Sequence, residues 1–143
     1  MKKDIVRVEF TLYGDEWPVE AFTEEIGIEP ARCYKKGDAF KNGFSRFETI
    51  WSIQTGDMKL RYEADEDRKL FEMLIDQLRP HAGLINKYRE KYQLNAAFFT
   101  HYSFYWAQTP GMRIEPEVIA FAYEISAYID VYIDKVIDPD PLL

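Results

Sequence analysis

The sequence has a single cysteine, Cys33, and only two histidines, His81 and His101, in 143 residues. One cysteine cannot close an intrachain disulfide, so the core must hold the fold alone, which fits a reducing compartment. These three side chains show no ligand spacing, such as two histidines one helical turn apart, that would argue for a metal. Cys33 and His101 fall in different expected elements and neither lies in a cysteine-enzyme signature, so a thiolate–imidazole pair is not expected. Phosphate-loop and dinucleotide fingerprints are missing too, and no cofactor is expected. Nor is there a membrane span, since no run of about 18 apolar residues occurs. The charge-free stretch 92–112 contains Gln93, Asn95, His101, Ser103, Gln108 and Thr109. Arg7 and Glu9 interrupt the apolar residues after Lys2 and Lys3, so no signal peptide is expected and the reading is cytoplasmic.

Basic charge is scarce as well. The net charge is −7, and it is uneven: residues 1–30 sum to −5, residues 31–91 to +3 and residues 92–143 to −5. Such a balance repels nucleic acid at long range, so nucleic acid is not expected as a ligand, and it suits a basic protein partner instead.

Core-forming residues are plentiful. Apolar side chains are 47% of the chain and aromatics 16%, enough for one domain that buries about 70% of its unfolded surface. Val6, Val8, Phe10 and Leu12 alternate with polar residues, the period of a half-buried strand. After Gly14-Asp15, Pro18 opens a helix carrying Val19, Phe22 and Ile26, and Gly27 closes it. Residues 31–46 read as a long basic loop with a short edge strand near Arg32–Lys35. A second strand over 47–54 carries Phe47, Thr49, Trp51 and Ile53 on one side. Asp65 is a candidate N-cap for a helix with Leu70, Phe71, Leu74 and Leu78 inward. Pro80 breaks it before a second stretch with Ala82, Ile85, Tyr88 and Tyr92. Leu94 to Trp106 reads as a central strand covered on both sides. Pro110-Gly111 turns the chain, and Pro116 starts a helix with Val118, Ile119, Ala122 and Ile125 inward. From Tyr128 to Asp134 the alternation returns, and residues 137–143 are expected to fray.

This order predicts an α+β fold: a mixed or mainly antiparallel sheet with helices on one face, a ferredoxin-like or related sandwich. A doubly wound parallel sheet is the alternative, disfavoured because two strands keep a polar face.

Several segments taken together resemble a known family. They are Gly27-Ile28-Glu29-Pro30, Tyr34-Lys35-Lys36-Gly37-Asp38, Trp51-Ser52, Ile114-Glu115-Pro116-Glu117-Val118-Ile119 and Ile129-Asp130-Val131-Tyr132. The set is similar to a widespread bacterial family, the domain of unknown function 4279. The resemblance implies a small stand-alone bacterial domain and brings no substrate, cofactor or catalytic residue with it.

Two candidate surfaces follow from the residues. Tyr128, Asp130, Tyr132 and Asp134 project from one face of the last strand. If that strand lay beside the first, Arg7 and Glu9 would share the face. Rigid tyrosines and carboxylates suit recognition of a basic protein. The second surface is the loop with Arg32, Tyr34, Lys35, Lys36, Gly37 and Asp38, where cations around a glycine turn could hold a phosphate or carboxylate. The remaining acids show no catalytic arrangement: Asp65-Glu66-Asp67 suits a helix start, and Asp130 and Asp134 lie about 13 Å apart along a strand. Two readings stay open: a non-enzymatic protein-binding module, of which immunity proteins are one kind, and a small-ligand-binding protein or weakly signatured enzyme.

Overall fold

In the computed structural model, which describes residues 4–60, 66–105 and 112–135, the first alternation forms strand β1 (Ile5–Gly14). Val6, Val8, Phe10 and Leu12 are fully buried on one side of it. Helix α1 (Val19–Ile26) follows and buries Val19, Phe22 and Ile26. Gly27 ends it at φ 69°, where its N–H reaches Thr23 O; a side chain in this left-handed region would be strained.

Two short edge-side strands come next, β2 (Arg32–Tyr34) and β3 (Thr49–Gln54). Phe47, expected inside β3, precedes it and stands 88% exposed. A two-residue strand, β4 (Met58–Lys59), continues alongside β1 beyond β3. Thr55 bridges the interruption, its backbone N–H donating to Val8 O and its hydroxyl accepting from Val8 N.

Helix α2 (Glu66–Leu78) runs into a 3-10 turn at Arg79–His81, where Pro80 denies the backbone a donor. Helix α3 (Ala82–Tyr92) then leads to strand β5 (Asn95–Phe104), helix α4 (Pro116–Glu124) and strand β6 (Ala127–Lys135). The expectations for Asp65, Trp106, Pro110-Gly111 and the 137–143 tail lie outside the described residues.

The sheet has the order β2-β3-β1-β5-β6, with β4 also paired to β1. Every pairing is antiparallel except β5 with β6, which run parallel. A parallel pair needs a crossover, and α4 lies in that connection. The sheet is therefore mixed, and the chain has an α+β fold.

The helices gather on one face. Phe22 of α1 packs edge-on to Trp51 at 5.0 Å between ring centroids, and Phe71 of α2 and Phe121 of α4 flank Phe98 at 5.9 and 6.4 Å. This face carries Val6, Val8, Phe10, Leu12, Trp51, Ile53, Ala96 and Phe98, all buried. Helix α4 presents Val118, Phe121, Ala122 and Ile125 to it, not Ile119, which is 55% exposed.

The opposite face has no helix over it among the described residues. Strand β5, expected to be covered on both sides, is covered on one: Phe98, Thr100 and Tyr102 are buried while Phe99, His101 and Ser103 are half-buried. Helix α4 covers only the start of β6, where Ile129 packs on the core while Val131 and Ile133 stay exposed.

Candidate functional site

The open face is set by strand alternation. Arg7, Glu9, Thr11 and Tyr13 are the β1 residues that point away from the helices. Antiparallel register sets them opposite His101, Phe99, Ala97 and Asn95. Parallel register then sets Ala97, Phe99, His101 and Ser103 beside Tyr128, Asp130, Tyr132 and Asp134. Strand β5 thus separates β1 from β6, so the direct adjacency on which a shared face was conditional is not there. The shared face survives because β5 contributes its own outward residues to it. On the other side, Glu9 faces Gln54 and Thr11 faces Ser52, with Arg32 of β2 next in the row.

The β6 half of this face is aromatic and acidic. Tyr128 is 40% and Tyr132 49% exposed. The rings do not stand alone: Phe99 packs on Tyr128 and Tyr132, and His101 stacks nearly parallel on Tyr132 at 5.3 Å and 14°. The Tyr128 and Tyr13 hydroxyls hydrogen-bond across β5, over the small Ala97. Burial, together with that hydrogen bond, pushes the Tyr128 phenol well above its ordinary value.

The β1 side holds an open depression of about 440 Å³, lined by Arg7, Glu9, Arg32, Gln54, Phe99, His101 and Tyr132. Glu9 lies at 3% exposure. A buried carboxylate is costly unless paired, and Oε1 accepts from both the Arg32 guanidinium and the Thr11 hydroxyl. Arg7 reaches Asp57 in an exposed ion pair at 3.6 Å, and its buried Nε has no hydrogen-bond partner among the described residues. Burial lowers the His101 pKa below the usual 6.5, and the positive charge of Arg7 lowers it further.

The second predicted surface, the basic loop, is built differently. Lys35 pairs with Glu20 and Lys36 with Asp15. The Asp38 carboxylate accepts the Lys35 backbone N–H at 2.8 Å, closing the turn around Gly37. Arg46 lies over the rings of Tyr34 and Phe40 at 3.7 and 3.8 Å. The lysines are therefore neutralised by surface acids, and of this set only Arg32 reaches the depression. Cys33 opposes Trp51 on the helix side of the sheet, whereas His101 is on the open side. The structure keeps them apart, and partial desolvation of the otherwise exposed Cys33, with nearby Glu20, raises the thiol pKa further from a nucleophile's range.

Among the described residues, no group of three or more His, Cys, Asp or Glu side chains is placed to hold a metal ion. None of their helices is long and apolar enough to cross a membrane. Sequence reasoning missed the depression. Arg7 and Glu9 were visible as the polar half of a strand, but Gln54, Phe99 and His101 join them only through the strand order.

Comparison with known proteins adds a family and nothing more specific. A family model described as domain of unknown function 4279 matches residues 4–135. Neither the curated proteins nor the solved structures give a match.

Proposed function

The chain belongs to the family of domain of unknown function 4279, whose description names no activity, and we propose that it is a non-enzymatic binding module that takes another protein on its open sheet face. The observation that carries this reading is the continuous row of Tyr128, Asp130, Tyr132 and Asp134 along β6, on a face no described helix covers. Tyrosines give large contact area at little entropic cost, and Phe99 and His101 already brace these rings from the neighbouring strand. The acids beside them suit a partner with basic side chains, in keeping with the net charge of −7. An immunity-type protein, neutralising a basic toxin domain, fits this description.

The basic-loop alternative has less support, because Lys35 and Lys36 are already paired with Glu20 and Asp15. The test is a double variant, Tyr132→Ala with Asp130→Ala. It is expected to abolish capture of the native partner while shifting stability by no more than about 1 kcal/mol, as exposed positions do. Capture at full yield by the double variant refutes the reading.

A further inference from the structure

The depression beside the tyrosine row has a chemistry of its own: it shares only Tyr132 with the β6 row, and its charge comes from β1 and β2. Three features define it. First, charge: Arg7 and Arg32 face a single buried carboxylate, Glu9, on its wall. Arg32 is committed to Glu9, so the surplus positive charge resides on Arg7. Among the described residues Arg7 has one ion pair, to Asp57, which is long and lies at the exposed rim, where such pairs are weak. Second, unmet bonding capacity: a guanidinium offers five donors, and the Nε of Arg7 is buried with none of its hydrogen bonding satisfied. The Gln54 amide on the β3 side and the Tyr132 hydroxyl on the β6 side make no hydrogen bond through their side chains within the described residues. Third, shape: about 440 Å³ falls within the usual range of small-molecule sites, about 300–1,000 Å³. One oxyanion would leave most of it empty, and the remaining wall is aromatic, with Phe99 and Tyr132 rings 5.9 Å apart.

We propose that this depression binds a small organic anion with a planar body, its carboxylate or phosphate meeting Arg7 and its ring lying against Phe99 and Tyr132. Arginine presents parallel donors that match either oxyanion. Gln54 and neutral His101 supply further polar edges without adding negative charge. Glu9 excludes a second anionic group from the floor, so the ligand carries its charge at one end.

The experiment is an NMR titration of the full-length chain with four probes: benzoate, phenyl phosphate, cyclohexanecarboxylate and inorganic phosphate. Saturable shifts centred on β1 and β5 are expected with benzoate or phenyl phosphate, and the tighter of the two identifies the headgroup. Cyclohexanecarboxylate and inorganic phosphate, lacking a planar body, are expected to bind several-fold more weakly. Arg7→Gln is expected to weaken binding about tenfold, the loss of one charge-assisted contact. Phe99→Leu is expected to remove the preference for benzoate over cyclohexanecarboxylate while leaving Arg7 in place. The proposal is overturned by no saturable shift from either planar probe at about 10 mM, which corresponds to binding too weak for a built site. Equal affinity in Arg7→Gln, or shifts confined to Lys35–Asp38, overturns it as well.

Discussion

Replacing Arg32 by Met would take away the guanidinium that neutralises Glu9 while keeping much of the aliphatic stem. Glu9 would stay at the base of the depression with only the Thr11 hydroxyl as partner. Breaking a fully buried pair typically costs about 3–5 kcal/mol, because the survivor is an uncompensated charge. Here only one member is buried: the side-chain exposures are 4% for Glu9 and 43% for Arg32. Water can enter where the guanidinium was, so the expected cost is nearer 2 kcal/mol, intermediate between buried and surface pairs. With a urea dependence of about 2 kcal/mol per molar, the unfolding midpoint should fall by about 1 M. The decisive assay is a double-mutant cycle, with Arg32→Met, Glu9→Gln and the combination unfolded in urea at pH 7. In the Glu9→Gln background the arginine has no charge to neutralise, so adding Arg32→Met should cost little. A coupling energy under about 0.5 kcal/mol, the usual limit for independent sites, would refute the claim that this pair holds the floor of the depression. Lys35→Ala is the control, since its pair with Glu20 is exposed on both sides and screened by solvent, so its loss should leave the midpoint nearly unmoved.

Two further outcomes follow from the same structure. His101 titrates below 6.5 in the folded chain, so the unfolded chain binds more protons between its lowered value and 6.5. Its contribution is therefore complete above pH 6.5 and fades as pH falls through the folded value. An NMR titration should place the imidazole midpoint below 6.5 and move it upward in Arg7→Gln; a midpoint at or above 6.5 contradicts this. In α4, Phe121→Ala should cost about 3–5 kcal/mol as a core truncation, whereas Ile119→Ser at an exposed site should stay within about 0.5 kcal/mol. Thermal or urea unfolding of both variants checks the pair, and a larger loss at Ile119 reverses the assigned helix face.

The alternating and helical periods made most elements legible. Val6, Val8, Phe10 and Leu12 have one environment because strand side chains repeat every two residues, and Leu70, Phe71, Leu74 and Leu78 share one helix stripe. In α4 the same logic picked one wrong residue. Ile119 was expected inward with Val118, Ala122 and Ile125, but the helix buries Phe121 in its place, about 160° away around the helix axis. Only packing against Phe98 selects Phe121. Strand β4 was invisible because two residues carry no period. The candidate face was legible in its β6 half, where the alternation is local. The depression was not, because it needs residues from β1, β2, β3, β5 and β6, and which strands neighbour one another is decided by long-range pairing. Parallel pairing of β5 with β6 also hid Phe99 and His101, whose aromatic run suggested cover on both sides.

Cys33 stands exposed on the short outer strand β2, and its opposite number in the sheet is Trp51, on the helix side. The molecule therefore carries one natural attachment point for a dye or spin label, turned away from Tyr132 and the depression. A reporter fixed there can follow whatever approaches the far side of the sheet without standing in its way.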